Sequence, residues 1–300
     1  MTEPRRARHG DDALFRGAAR LGVLAGGLGL RWQALAPLVA AFPAELRDEL
    51  ELGVATGDIP LWIRTRGDGK PMTFRTARFL EERGVAEATL RRLLVTAEHQ
   101  GHHHLLLDLG LDATGLSAWR WLLRRPMDLP TTDAWLAAAG ADLDTRARLK
   151  LIAEALERDH SHAVGERVQV DGSVYQQVVF SLPATGSSWP LLLLAVQRAG
   201  LPTDALDRLA PALAERDCRL QLTRMPGAAG LRAVLDFDGL PQDRLDVLLD
   251  AVTAPDAARD RLDVLTPFAS DGRLDTVSLH LDGTGPRSVA AWLETTRPLD

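Results

Sequence analysis

Arg219-Leu-Gln-Leu-Thr-Arg-Met-Pro-Gly-Ala-Ala-Gly-Leu-Arg-Ala-Val-Leu-Asp-Phe-Asp-Gly239 decides how this chain folds. Two alternating runs, Arg219–Leu222 and Leu231–Asp238, flank a glycine-rich turn and lead into an amphipathic helix from Pro241. Alternating apolar runs joined by a turn of this composition form a β-hairpin. The unit returns. Val234-Leu-Asp-Phe-Asp-Gly239 lies over Ser278-Leu-His-Leu-Asp-Gly283 with Leu, Asp and Gly shared, so Leu262–Thr266 with Asp275–Asp282 is read as a second copy, followed by a helix from Arg287.

Working backwards, Arg167–Val170 and Tyr175–Leu182 surround Asp171-Gly172 and precede a helix from Ser188. Arg91–Glu98 and His103–Leu111 surround Gln100-Gly101 and precede a helix over Leu116–Arg124; Ala86–Gln100 fits a single helix equally well. Glu49–Ala55 and Leu61–Arg66 surround Gly57-Asp58. Five hairpins separated by helices make a repeat architecture, which limits the fold more than any single motif does. Helices are also expected over Ala13–Ala41, over Phe74–Arg83 ended by Gly84, over Thr132–Ala139 behind a Thr131/Thr132 cap, and over Asp144–Arg158. Met1–Asp12 reads as a charged tail, and no long Pro/Ser/Gly linker divides residues 13–300, which form one repeat-built domain.

Composition excludes several functions. A formal charge of -6 and a pI near 5.8, with no dense basic run, argue against nucleic acid as a partner. No apolar stretch reaches the ~20 residues of a membrane-spanning helix. A single cysteine, Cys218, leaves no intrachain disulfide and suits a cytoplasmic location. His99 with His102, His103 and His104 lacks a zinc spacing, Gly26-Gly-Leu-Gly29 follows no strand, and Cys218 sits mid-chain at a strand start, so no metal, nucleotide or thiol-hydrolase site is assigned.

Strand residues alternate between faces. Leu105/Leu107/Leu109, Val178/Phe180/Leu182, Ala233/Leu235/Phe237 and Val277/Leu279/Leu281 make an apolar face for the helices. The other face collects Glu49, Glu51, Trp62, Arg64, Arg66, His104, Asp108, Arg167, Gln169, Tyr175, Gln177 and Ser181. It also collects Arg219, Gln221, Thr223, Arg232, Asp236, Asp238, Thr276, Ser278 and His280. An open sheet would leave that face in water; a closed ten-stranded antiparallel barrel would make it a polar lumen, without exposed edges.

In its repeats and alternation the chain resembles the ABBA-type aromatic prenyltransferases, over roughly Arg47 to Trp292. The resemblance implies an α+β fold of five α-β-β-α units around a ten-stranded antiparallel barrel, helices outside. It implies a cytoplasmic transferase that moves a prenyl group from an allylic diphosphate to an aromatic small molecule or peptide. Ionising such a donor needs positive charge on the leaving group and a lumen that excludes water. Arg64-Thr-Arg66, Arg167-Val-Gln169 and Arg219-Leu-Gln221 are similar to the family's basic-x-polar strand patterns, which puts Arg64, Arg167, Gln169, Arg219 and Gln221 on the diphosphate. Glu51 before Arg64 is similar to the acid-then-arginine hairpin of the indole-prenylating branch and would act on the acceptor, with Glu49 as the register alternative. Trp62, Tyr175 and His280 would contact the prenyl chain or the acceptor. No metal or other cofactor is required, although Mg2+ could accompany the diphosphate. Two departures stand out. Tyr175 is the only tyrosine, and Lys70 and Lys150, the only lysines, lie on no strand. A binding or scaffold protein that keeps the fold without the chemistry is the alternative.

Overall fold

Ten strands pair in a ring in the computed structural model, which describes residues 21–30, 40–41, 50–67, 69–99, 101–102, 104–182, 188–224, 230–252, 255–268 and 273–294. The chain runs β1 (Leu50–Ala55), β2 (Leu61–Gly67), α1 (Gly69–Glu81), α2 (Glu87–His99), β3 (Leu105–Asp112), β4 (Gly115–Leu123), β5 (Met127–Asp128), α3 (Leu129–Ala138) and α4 (Leu143–Ala155). It continues β6 (His160–Ser161), β7 (Ala163–Gln169), β8 (Val174–Leu182), α5 (Ser188–Arg198), α6 (Asp204–Leu213), β9 (Cys218–Arg224), β10 (Leu231–Pro241), α7 (Gln242–Leu249), α8 (Pro255–Leu262), β11 (Arg273–Asp282) and β12 (Gly285–Glu294). Each hairpin pairs with the next, and β12 closes on β1, all antiparallel; β5 and β6 form a separate small sheet. Two helices separate each hairpin from the next, so the sheet closes into the barrel expected above and the open-sheet alternative is excluded.

Two of the five hairpins are displaced by one strand from their expected positions. Arg91–Glu98 lies in α2, so β3 pairs with β4 where a helix over Leu116–Arg124 was expected. Leu262–Thr266 is the end of α8 and a 3-10 turn, and β11 pairs with β12 where a helix from Arg287 was expected. The match of Val234–Gly239 to Ser278–Gly283 therefore aligned a second strand with a first one. The correct match is Leu109-Gly-Leu-Asp-Ala-Thr-Gly115 with Leu279-His-Leu-Asp-Gly-Thr-Gly285. In both, the backbone N–H and hydroxyl of the threonine donate to the aspartate two residues back: Thr114 to Asp112 at 2.7 and 2.6 Å, Thr284 to Asp282 at 2.8 and 2.7 Å. The glycine that follows takes a positive φ, 128° at Gly115 and 108° at Gly285, open to a residue without Cβ.

Helix ends follow their local chemistry. Asp128, rather than Thr131 or Thr132, caps α3 by accepting from Thr131 N–H, and Asp142 caps α4 by accepting from Thr145 N–H. Gly84 closes the turn after α1 with φ 77°. The apolar strand faces pack outward against these helices as one continuous core that includes Leu107, Trp121, Phe180, Leu222, Phe237 and Leu279. Of the expected Ala13–Ala41 helix, residues 21–27 and 40–41 are helical, residues 28–30 break it in a turn with Gly29 at φ 69°, and the rest lies outside the described residues, as do Glu49, Gln100 and His103.

Candidate active site in the barrel lumen

The register fixes which side chains share the lumen. Glu51, Arg64, Asp108, Arg120, Arg167 and Tyr175 stand in cross-strand sequence on β1, β2, β3, β4, β7 and β8. Val179, Gln221, Val234, His280 and Ser288 do the same on β8 to β12. The polar face expected from alternation is the inside of the barrel.

A web of charge-assisted hydrogen bonds crosses it. Arg64 donates from Nε and Nη2 to Asp108 at 2.8 and 3.1 Å and from Nη1 to Glu51 at 3.1 Å. Arg120 donates from Nε to Asp108 Oδ2 at 2.8 Å, makes a second bond to it from Nη2, and donates from Nη1 to Gln221 at 2.9 Å on β9 across the lumen. Asp108 is 1% exposed. Burial disfavours its charge, but Arg120 and Arg64 overcome that and hold its carboxyl below the usual carboxylate range. Burial likewise opposes the charge of Arg64, and Asp108 and Glu51 more than restore it.

One cavity of about 610 Å³ opens from this web toward the hairpin turns. Trp62, Arg120, Arg167, Gln169, Tyr175, Gln177, Gln221, Arg232, His280 and Trp292 are among its walls. The Arg167 guanidinium lies 5.1 Å from the Trp62 ring centroid, and its Nε is buried with no hydrogen-bond partner. Burial, then the charges of Arg120 and Arg232, push its pKa down to about 10. His280 is pushed down to about 4, by burial first and then by Arg167, with Arg120 and Arg232 adding and Asp236 opposing. Arg120, Arg167, Arg232 and Arg287 line the cavity together with Asp58, Asp171 and Asp282, around a neutral imidazole, and Arg120 and Arg287 are paired with Asp108 and Asp282. At the unpartnered Nε of Arg167 such a site attracts an anion.

Of the residues singled out from sequence, Arg167, Gln169, Gln221, Trp62, Tyr175 and His280 meet in this cavity. Glu51 and Arg64 meet each other below it. Arg219 does not join them: it lines a second cavity of about 500 Å³ with His162, Arg158 and Asp217, and Asp238 grips its guanidinium. Arg120 and Trp292 were missed because β4 and β12 read as helices. In β4 Trp119, Trp121 and Leu123 point out while Ala118, Arg120 and Leu122 point in, so both faces are largely apolar and Arg120 is the one charge.

The rival motifs have other uses. His102 is hydrogen-bonded to Thr73 at 3.1 Å and Glu98 at 2.6 Å, tying α1 to the end of α2. Among the described residues no group of three or more His, Cys, Asp or Glu could hold a metal ion, and no helix is long and apolar enough to cross a membrane. Burial, with Asp236 next, pushes the Cys218 thiol far above its ordinary value, which removes the thiolate a nucleophile needs.

No family model matches the chain, and no curated protein is similar to it in sequence. Solved structures do match. A 6-dimethylallyl tryptophan synthase is 16% identical with a TM-score of 0.62, over 94% of this chain and 95% of that one. The prenyltransferase PriB, in a ternary complex with L-tryptophan and dimethylallyl thiolodiphosphate, is 16% identical with a TM-score of 0.60 over 96% of each chain. NotF, in complex with brevianamide F and DMSPP, is 9% identical with a TM-score of 0.59 over 99% of this chain and 97% of that one. The chain has the ABBA-type prenyltransferase-barrel fold.

Proposed function

We propose that this prenyltransferase-barrel protein binds an allylic diphosphate in its lumen and transfers the prenyl group to an aromatic acceptor. The observation that carries this is Arg167, half-buried with its Nε buried and without a hydrogen-bond partner, in the wall of the lumen cavity that Arg120 and Arg232 also line. A diphosphate supplies the anionic oxygens those groups lack, and charge-assisted bonds to it would strengthen as the leaving group gains charge. The donor's carbon–oxygen bond breaks, a carbon–carbon bond forms to the aromatic ring, and the ring proton must leave.

Arg120, Arg167 and Arg232, with Gln169 and Gln221, are assigned to the diphosphate. Trp62, Trp292, Tyr175 and His280 are assigned to the prenyl chain and acceptor. Glu51 is assigned the acceptor's proton; it is ion-paired with Arg64 at 3.1 Å and Arg66 at 3.6 Å. Guanidinium groups neutralise the leaving group here, so Mg2+ would enter only as the diphosphate's own counter-ion, and turnover is expected in EDTA.

The folds it resembles have been seen with tryptophan or brevianamide F and a dimethylallyl thiolodiphosphate, which makes an indole and a five-carbon donor the first pair to test. A binding protein without chemistry is the second reading. It is favoured by one observation, the ion pairs that already engage Arg64 and Arg219. Titration with dimethylallyl and geranyl thiolodiphosphates, with pyrophosphate as control, followed by incubation of the true diphosphates with indole acceptors, separates the two. Binding with prenylated product supports transfer, binding without product supports a binding protein without chemistry, and no binding removes the transferase and leaves the scaffold.

A further inference from the structure

A guanidinium chelates a phosphate or a carboxylate with two parallel N–H groups on one edge of its fork. Arg64 and Arg120 both turn their Nε–Nη2 edge to the same carboxylate, that of Asp108. Their remaining Nη1 groups are used as well, by Glu51 and Gln221. Arg167, next to Arg120 across the β4–β7 pairing, shows the opposite state, with its Nε buried and empty-handed. Arg64 and Arg120 therefore face an internal anion, and Arg167 faces the cavity.

We propose that Asp108 is a resident counter-anion that holds the chelating edges of Arg64 and Arg120 away from the donor's diphosphate, leaving that anion to Arg167 and Arg232 with only partial help from Arg120. The inference rests on the transferase reading above and goes further, by assigning Asp108 a positioning role opposite in sign to that of an ordinary structural residue. A lumen with every arginine free would hold the product diphosphate too tightly to release it. Asp108 lowers that affinity and keeps the product exchangeable. Arg64, although an arginine on a lumen strand, contributes to Glu51 and not to the anion.

The test is calorimetric titration of the full chain with inorganic pyrophosphate at two salt concentrations. Relative to wild type, Asp108→Asn is expected to bind about tenfold tighter or better and with a steeper salt dependence, since two chelating edges become available. Arg64→Met is expected to stay within about threefold of wild type, and Arg167→Met to bind about tenfold or more weakly. A merely structural Asp108 would give weaker or unchanged binding on substitution, and that result overturns the inference while wild-type binding leaves the donor site standing. If Asp108→Asn does not fold, Arg64→Met decides: unchanged affinity supports the inference, and a tenfold loss overturns it. Pyrophosphate that binds no variant and not the wild type removes the donor-site reading itself.

Discussion

Gly53 and Trp292 face each other across β1 and β12 with no space for a side chain between them: a Cβ on Gly53 would stand 2.6 Å from Cε3 of the indole. The arrangement is repeated one strand pair on, where a Cβ on Gly110 would stand 3.0 Å from Cη2 of Trp62. Trp292, Gly53, Trp62 and Gly110 form one cross-strand row, so each large ring lies over bare backbone. Above each ring is a guanidinium, Arg64 at 3.9 Å from the Trp292 centroid and Arg167 at 5.1 Å from that of Trp62. Trp292 is further fixed by donating from Nε1 to Ser278 Oγ at 3.2 Å, and Ser278 donates in turn to Asp236 at 2.6 Å. The glycines are there for room, and the rings set the height of the arginines.

Gly53→Ala should therefore destabilise the barrel by about 1–3 kcal/mol, the usual range for overpacking a filled site. Gly26→Ala, at a helical glycine with nothing within 4 Å of a new Cβ, should be neutral or slightly stabilising. Urea denaturation of both variants gives the comparison. Equal stability of the two would mean that the Trp292 ring can shift at no cost.

Trp62→Leu keeps an apolar wall but removes the ring beneath Arg167. A partly desolvated cation–π contact is worth roughly 0.5–2 kcal/mol, so pyrophosphate should bind roughly 2- to 30-fold more weakly. Melting should change little, because Trp62 lines the cavity and is only partly buried. Unchanged pyrophosphate affinity would show that Arg167 is placed by its strand alone.

How far the sequence reveals this site depends on how a strand is buried. The hairpins β1/β2, β7/β8 and β9/β10 alternate a polar inner face with an apolar outer one, and their inner residues were legible as a lumen set, from Glu51 and Arg64 to Arg167, Gln169 and Gln221. β4 and β12 defeated that signal. Ser117-Ala-Trp-Arg-Trp-Leu-Leu123 has a single charge inside an apolar run, and Ser288-Val-Ala-Ala-Trp-Leu-Glu294 carries four good helix formers, Ala290, Ala291, Leu293 and Glu294. Tertiary pairing overrode local preference in both. The Asp-x-Thr-Gly turns at Asp112 and Asp282 were the available correction, because their side-chain hydrogen bonds end one strand and begin another with no helix between. The ion pairing of Arg64 with Asp108 was not legible at all, since it depends on β2, β3 and β4 standing side by side.

Stability should fall as the pH is lowered from about 6.5 toward 4, and His280 and His162 should cause part of that fall. In the unfolded chain an imidazole takes up its proton near pH 6.5, at about its unperturbed pKa. In the folded chain both are held down to about 4: His280 by burial and then by Arg167, Arg120 and Arg232 against Asp236, and His162 by burial and then by Arg124, Arg219 and His160. Between those values the unfolded state binds more protons, so acid favours unfolding. His280→Gln should flatten the dependence by up to about 3 kcal/mol, less whatever solvent screening removes. Urea midpoints at pH 7, 6, 5 and 4 measure it. An unchanged slope in the variant would mean that His280 titrates normally in the native barrel. Saturating pyrophosphate should also flatten part of the slope, because a bound anion offsets the three arginines that add to burial in keeping His280 neutral.

The outer wall carries a separate buried charge whose removal should separate fold from function. Glu166 on β7 is fully buried, and Arg92 on α2 donates to it at 2.6 Å while also donating to Thr89 at 3.1 Å. Burial raises the Glu166 pKa even though Arg92 opposes the shift, so desolvation is the larger effect at this pair. Replacing only Arg92 with Met would strand a carboxyl between barrel and helix, and a loss of about 3–5 kcal/mol is expected. Replacing both, as Arg92→Met with Glu166→Leu, removes the stranded group and should restore most of that loss, since a buried ion pair adds little over well-packed apolar residues. Pyrophosphate affinity should be unchanged in the double variant, because Glu166 points away from the lumen while its neighbour Arg167 points into it. A double variant as unstable as Arg92→Met alone would show that the pair supplies net stabilisation to the contact between α2 and the barrel. A change in pyrophosphate affinity would show that the outer wall helps to set the position of Arg167.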